Sequence, residues 1–279
     1  MKYTLKEIQF LNDNYSKLGC KVCADKLNRS YGGISWKARG LNLKVSKKTI
    51  LKNHKRIWEE RIIKYKVNQN NFINCSTPEV AYILGLLWAD GHIRQIGYTN
   101  EIQLENIKKD TDIFYPIFLK TGNWRILFRQ RENRQEQGLI RTSNKLLASF
   151  LIENNYGPHN IKSADKILSL IPDNLHQYWF RGLIDGDGCW YLNIKNSCRQ
   201  FSLAGSYEQN WLYFENLLSK LNIKFSIKRI KNKRNSSSYI RSFGRKNLIK
   251  LGNYIYQNYE QDKIGLDRKY NKFIEIKNS

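Results

Sequence analysis

Asp90 and Asp187 close two stretches of this chain that read almost alike. Ile83-Leu84-Gly85-Leu86-Leu87-Trp88-Ala89-Asp90-Gly91 and Phe180-Arg181-Gly182-Leu183-Ile184-Asp185-Gly186-Asp187-Gly188 each run through apolar residues, carry small residues four apart and end in Asp-Gly. A duplicated element that delivers one carboxylate each time predicts a paired acidic site. The chain around it has 279 residues and a net charge of +24, which favours a polyanionic partner, nucleic acid above all. Carboxylates, backbone carbonyls and phosphate oxygens are the ligands Mg²⁺ prefers. The expected chemistry is metal-assisted attack of water on phosphorus.

The elements that position these carboxylates follow from spacing. Gly85 and Ala89, like Gly182 and Gly186, fall on one face of a helix. Small residues on that face let two helix backbones approach closely, and Leu86, Leu87, Leu183 and Ile184 then fill the cores on either side. Gly91 and Gly188 are expected to stop each helix in a left-handed cap. Asp90 and Asp187 therefore sit at two neighbouring helix C-termini. A carboxylate there opposes the helix dipole at a cost of about 0.3–1 kcal/mol. Two of them repel further, and a bound hard cation would resolve the conflict.

The aspartates mark a repeat of about a hundred residues. After the first motif the pattern predicts strands near 92–95 and 101–105, a helix over 110–119, strands near 124–131 and 139–142, and a helix over 145–152. After the second it predicts strands near 189–194 and 201–203, a helix over 209–221, strands near 225–231 and 239–243, and a helix over 246–256. The order helix-strand-strand-helix-strand-strand-helix, twice, implies two like half-domains joined face to face.

With the motifs in this context the chain resembles the LAGLIDADG homing endonucleases, in their single-chain, two-repeat form, over roughly residues 78–275. The resemblance implies an α+β fold: two pseudo-symmetric αββαββα half-domains packed through the motif helices. It implies a monomer that cuts both strands of a long, asymmetric double-stranded DNA target across the minor groove, with Mg²⁺ as cofactor and Mn²⁺ able to substitute. The metal ligands would be Asp90 and Asp187 with the carbonyls of Ala89 and Gly186. Relatives of the same fold act instead as intron RNA maturases or as non-cleaving DNA-binding regulators, so intron RNA is an alternative partner. The chain departs from the family pattern at Leu84, Trp88 and Arg181 but keeps Asp185, the acid that is generally structural. Basic or polar groups near the attacking water would come from Arg141 and Lys145, from Arg241, Arg245 and Lys246, or from Glu105 or Asn106, with Lys145 and Lys246 taken as catalytic. On the DNA-facing strands, Gln103, Arg129, Arg131, Arg134, Lys195, Arg199, Lys228 and Lys231 are candidate contacts, joined by Arg141 and Arg241.

Residues 1–77 hold 17 Lys and Arg against 5 Asp and Glu, marking a separate polyanion-contacting segment. Thr4-x-x-Glu7 is a capping box, a second helix is expected near 21–27, a break at Tyr31-Gly32-Gly33, and a third helix after Ser35 bearing Lys37 and Arg39. That pattern resembles small helix-turn-helix modules. The expected organisation is a helix-turn-helix-like module over 1–45, a basic helix and linker over 46–77, and half-domains over 78–172 and 173–279. Five scattered cysteines, with Cys20-x-x-Cys23 a lone pair, argue for a reducing, intracellular setting. No apolar run is long enough to span a bilayer.

Overall fold

The computed structural model describes residues 3–64, 66–96, 99–130, 132, 135–157, 162–231 and 236–279. Arg131 and Arg134 lie outside the described residues. The chain divides into two compact units, Met1–Lys64 and Tyr65–Ser279. Among the described residues no helix is long and apolar enough to cross a membrane.

The first unit holds α1 (Leu5–Lys26), α2 (Tyr31–Gly40) and α3 (Lys47–Lys64). The capping box forms: the Glu7 amide donates to Thr4 Oγ1 at 3.2 Å and the Thr4 amide to Glu7 Oε2 at 2.8 Å. α1 is kinked at Gly19, whose φ of +80° only glycine adopts without strain. The kink separates the two helices expected from the pattern. The hydroxyl of Thr49 donates to the carbonyls of Ser16 and Lys17 just before it, both at 3.0 Å. α3 is thereby tied into this unit, whereas the sequence pattern groups it with a linker. Tyr31-Gly32-Gly33 is not a break, for it forms the first turn of α2. Ser30 caps that turn by accepting from the Gly33 amide at 3.1 Å, and a satisfied N-cap offsets the weak helix propensity of two glycines. Leu11, Cys20, Cys23, Ala24, Ile34 and Ala38 form its core, so both cysteines serve as buried apolar groups.

The second unit begins with α4 (Gln69–Ile73). Then come α5 (Pro78–Asp90), β1 (Gly91–Ile96), β2 (Thr99–Ile107), α6 (Lys108–Leu119), β3 (Arg125–Arg129), β4 (Gln137–Thr142) and α7 (Lys145–Glu153). A short α8 (Asp165–Leu168) leads to α9 (His176–Asp187), β5 (Gly188–Asn193), β6 (Cys198–Ser206), α10 (Leu212–Lys220), β7 (Ser226–Lys231), β8 (Ser236–Phe243) and α11 (Arg245–Ile255). α12 (Tyr259–Asp262) and α13 (Asp267–Asn278) close the chain. The fold is α+β. Two antiparallel four-stranded sheets, ordered β1-β2-β4-β3 and β5-β6-β8-β7, repeat one αββαββα plan, and α13 is an addition that the repeat does not predict.

Each sheet turns one face to the helices. Ile102, Leu104 and Ile140 in one, and Trp190, Phe201, Leu203 and Ile240 in the other, are buried. Because side chains alternate along a strand, the residues between them project from the opposite face.

The half-domains meet through α5 and α9, and the glycine spacing is what permits it. A Cβ on Gly85 would stand 1.9 Å from the Trp179 carbonyl oxygen, and one on Gly182 would stand 2.1 Å from that of Tyr82. Leu86, Leu87, Leu183 and Ile184 are buried as expected. Gly91 and Gly188 do not form left-handed caps, since their backbones are extended at φ −73° and −83°. Glycine is required there by space: a Cβ would come within 2.2 Å of the Leu87 carbonyl oxygen in one case and 2.7 Å of that of Ile184 in the other.

Three bulky or polar motif residues, Arg181, Asp185 and Trp88, find local partners. Arg181 is fully buried and donates to the carbonyls of Ile255, Gln257 and Ile264 and to Asp262 Oδ1, at 2.7–3.0 Å. Asp185 accepts from the Tyr82 hydroxyl at 2.7 Å and from the Leu266 amide at 2.9 Å. Trp88, at the matching place in α5, packs edge-on against the rings of Tyr156 and Tyr213 and lies 6.0 Å from that of Trp179.

Candidate metal centre

Asp90 and Asp187 end α5 and α9, so the close helix contact delivers them side by side. A Cβ on Gly186 would lie 2.4 Å from Ala89 Cβ and 3.1 Å from Asp90 Oδ2, which puts the Asp90 carboxylate over the neighbouring helix end. Burial pushes the Asp187 carboxyl up to about 7, and the negative charge of Asp90 adds to the rise, against the pull of Lys269. Burial likewise raises Asp90, while a hydrogen bond from Asn106 and the charge of Lys269 act to lower it. Both groups are thus costly to ionise where they stand.

Two side chains make the immediate setting. Asn106, near the end of β2, donates from Nδ2 to Asp90 Oδ2 at 3.0 Å, and its Oδ1 is buried with no partner among the described residues. Lys269, on α13, donates from Nζ to the carbonyls of Ile184 and Asp185 at 2.6 Å, Gly188 at 2.9 Å and Gly186 at 3.4 Å. The ammonium therefore sits against the negative end of the α9 dipole. Its neighbour Arg268 pairs through two hydrogen bonds, 3.1 and 2.6 Å long, with buried Asp110 of α6 in the other half-domain. Asn106 belongs among the residues the resemblance singles out. Lys269 and Arg268 do not, although one signal is present. Lys269, Phe273 and Ile276 are all buried on α13, so at spacings of four and three a lysine falls on the apolar face of a helix.

The donor set suits a hard cation. Two carboxylates, the Ala89 and Gly186 carbonyls and the unpartnered Asn106 Oδ1 are all oxygens. Among the described residues no three His, Cys, Asp or Glu side chains converge on a metal, so such a cation would need oxygen ligands from the backbone and the substrate as well.

The remaining candidates sort by register. His92, Arg94, Gln103, Arg125, Arg129 and Arg141 share the open face of the first sheet. There Arg141 pairs with Glu101 at 3.1 Å, Gln103 donates to the same carboxylate, and Arg129 pairs with Glu105 at 3.1 Å. On the open face of the second sheet stand Tyr191, Gln200, Ser202, Lys228, Tyr239 and Arg241. Arg141 lies across from Gln103 and Arg241 from Ser202, which are equivalent places in the two halves, and the Nε of each arginine is buried without a partner among the described residues. Lys231 and Arg199 fall on the opposite face, contrary to the expectation for DNA contacts. Lys231 lies over the Tyr207 ring and Arg199 is bonded to Ser279. A run of basic residues does not reveal its parity until the strand register is known. Lys195 is exposed in the β5–β6 turn. Lys37 and Arg39 lie in the last turn of α2 in the first unit.

Lys145 and Lys246 do not gather at the carboxylates. Both are exposed in the first turns of α7 and α11. α7 starts beyond the Thr142 end of β4, which pairs with Ile102, whereas Asp90 adjoins Asn106 at the other end of β2. The second sheet repeats this layout. Arg245 is likewise engaged elsewhere, with the Lys277 carbonyl.

Residues 174–256 match the model of the LAGLIDADG-like domain. Comparison with curated proteins finds no match. Among solved structures, mesophilic variants of the homing endonuclease I-DmoI are 16% identical, cover 66% of this chain and 97% of their own, and superpose with a TM-score of 0.46. The LAGLIDADG homing endonuclease I-LtrWI, bound to target DNA, is 15% identical over 76% of this chain and 98% of its own, with a TM-score of 0.41.

Proposed function

We propose that this protein is a site-specific DNA endonuclease that hydrolyses one phosphodiester in each strand of a duplex with the help of a divalent metal, Mg²⁺ in the cell and Mn²⁺ as a substitute. The observation that carries the reading is the pair Asp90 and Asp187: two carboxylates costly to ionise, brought together at helix ends, with oxygen donors around them and an arginine-bearing sheet face on either side. Asp90, Asp187 and the carbonyls of Ala89 and Gly186 would hold the metal, which supplies a Lewis acid and an activated water when bound. Asn106 orients the Asp90 carboxylate and offers Oδ1 to a water. The free Nε groups of Arg141 and Arg241 suit phosphate or base oxygens. The two open faces differ in every side chain except that arginine pair, so the half-sites they read differ in sequence. Lys228, Arg94 and Arg125 add basic contacts for duplex DNA on the two sheet faces, Lys37 and Arg39 of α2 offer a separate one from the first unit, and the chain acts as a monomer because both half-domains are in it.

The test is cleavage of a randomised library of long duplexes with Mg²⁺, sequenced for cut ends. A unique double-strand cut, lost in Asp187→Asn with binding kept, is expected. Tight binding without any cut by the unaltered protein would overturn the enzymatic reading in favour of a regulator or a maturase.

A further inference from the structure

The two carboxylates of the candidate centre are held by different means. In the first half, the Asn106 amide bonds the Asp90 carboxylate directly. Gly91 pairs with Leu104 and Gly188 with Leu203, so two residues further along β6 the place of Asn106 is taken by Gly205. No side chain is available there, and a Cβ would run into Gln209 and Trp211 within 2.8 Å. From the described residues no hydrogen bond reaches the Asp187 carboxylate. Its backbone is gripped instead: Gly186 and Gly188, the residues on either side, both give their carbonyls to the Lys269 ammonium. That ammonium is nearly out of solvent, with Lys269 7% exposed, and Arg268 beside it is anchored on Asp110 in the first half-domain.

We propose that Lys269 is the positioning residue of the second half-site, doing through the backbone of Gly186-Asp187-Gly188 what Asn106 does through a side chain in the first. It is held in register with the first half-site by the Arg268–Asp110 pair. The inference rests on the metal-centre reading above and concerns residues that reading does not need. Two effects of the ammonium oppose each other. Its charge repels a bound cation, whereas its grip fixes the Gly186 carbonyl and the Asp187 carboxylate as ligands. Positioning predicts that loss of the ammonium weakens metal binding, and simple charge repulsion predicts the reverse.

The experiment is Mn²⁺ binding to the full-length protein, read from the electron paramagnetic resonance signal of free Mn²⁺, for the unaltered protein and for Asp187→Asn, Lys269→Met, Lys269→Gln and Arg268→Gln. Melting temperatures are taken in parallel. Lys269→Met is expected to weaken Mn²⁺ binding at least tenfold. Lys269→Gln, which keeps two N–H donors without the charge, should lie between it and the unaltered protein, and Arg268→Gln should weaken binding less than Lys269→Met. If Lys269→Met does not fold, Lys269→Gln alone decides by the direction of its shift. Tighter Mn²⁺ binding in either lysine variant would overturn the proposal, as would unchanged binding with a lowered melting temperature, which is the mark of a plain helix cap. Unchanged binding in Asp187→Asn would overturn the metal-centre reading itself, whatever the lysine variants do.

Discussion

Removing the Asp187 charge should make the metal-free protein more stable, and the gain should depend on pH. Asp187 has its carboxyl raised from 3.8 to about 7 by burial and by Asp90. A raised folded value means that the stability linked to this group is complete below about pH 4 and is lost as pH rises through about 7. A shift of roughly three pH units corresponds to about 4 kcal/mol at pH 8, at 1.36 kcal/mol per unit. The same relation leaves a cost of about 1.5 kcal/mol at pH 5. Asp187→Asn should therefore exceed the unaltered protein in stability by a margin that grows by about 2–3 kcal/mol between pH 5 and pH 8. Urea unfolding in the presence of a chelator measures this, read by the fluorescence of Trp88, Trp124, Trp179, Trp190 and Trp211, all buried in the second unit. Mn²⁺ at a hundred times its Kd adds about 2.7 kcal/mol to the form that binds it, enough to reverse the order at pH 5 and to narrow the margin at pH 8. A margin that stays constant from pH 5 to pH 8 would refute the argument that burial and Asp90 strain this carboxylate.

Gly85→Ala or Gly182→Ala should each cost roughly 3 kcal/mol or more, because the new methyl meets a backbone carbonyl that cannot turn aside. Gly40→Ala, which meets nothing within 4 Å, should leave the melting temperature within a degree or two by calorimetry. Glu7, whose carboxyl is held down to about 2, first by its hydrogen bond from Arg29, stabilises the first unit above its usual range and loses that effect as pH falls from about 4.5 towards 2. Glu7→Gln should accordingly lower the melting temperature of the first unit at pH 7, and the difference should close by pH 2–3. Deleting residues 1–64 should weaken DNA binding and flatten its salt dependence by about 0.9 in the log–log slope for each phosphate that the unit neutralises, which fluorescence anisotropy over a salt series will measure. Unchanged affinity would detach that unit from DNA.

The architecture was readable because it rests on local rules. The four-residue spacing of Gly85 with Ala89 and of Gly182 with Gly186 announces a close helix pair, and the repeat of strand and helix patterns carries the sheet plan. Where sequence reading erred, the competing physics was non-local. Gly91 and Gly188 look like helix caps but answer to a carbonyl one turn back, and Tyr31-Gly32-Gly33 looks like a break until Ser30 is seen to cap it. Lys231 and Arg199 sit on the wrong side of their strands because one residue of register inverts a face. Lys145 and Lys246 were suggested by resemblance, and the strands carry them to the far end of each sheet. Lys269 lies 82 positions after Asp187 on a helix outside the repeat, and only the fold joins the two.

The contact between α5 and α9 has equivalent places filled by unlike pairs. Where Tyr82 gives its hydroxyl to Asp185 on one side of the pseudo-twofold axis, Trp179 meets the ring of Trp88 on the other. Two copies of the second half would set Trp179 beside Asp185 at both places and enclose a pair of carboxylates without a hydroxyl to receive either. Two copies of the first half would press Tyr82 against Trp88 twice and leave both phenols without their acceptor. Each half thus fits the other at this contact better than it would fit its own copy, and the single chain keeps the two unlike halves together.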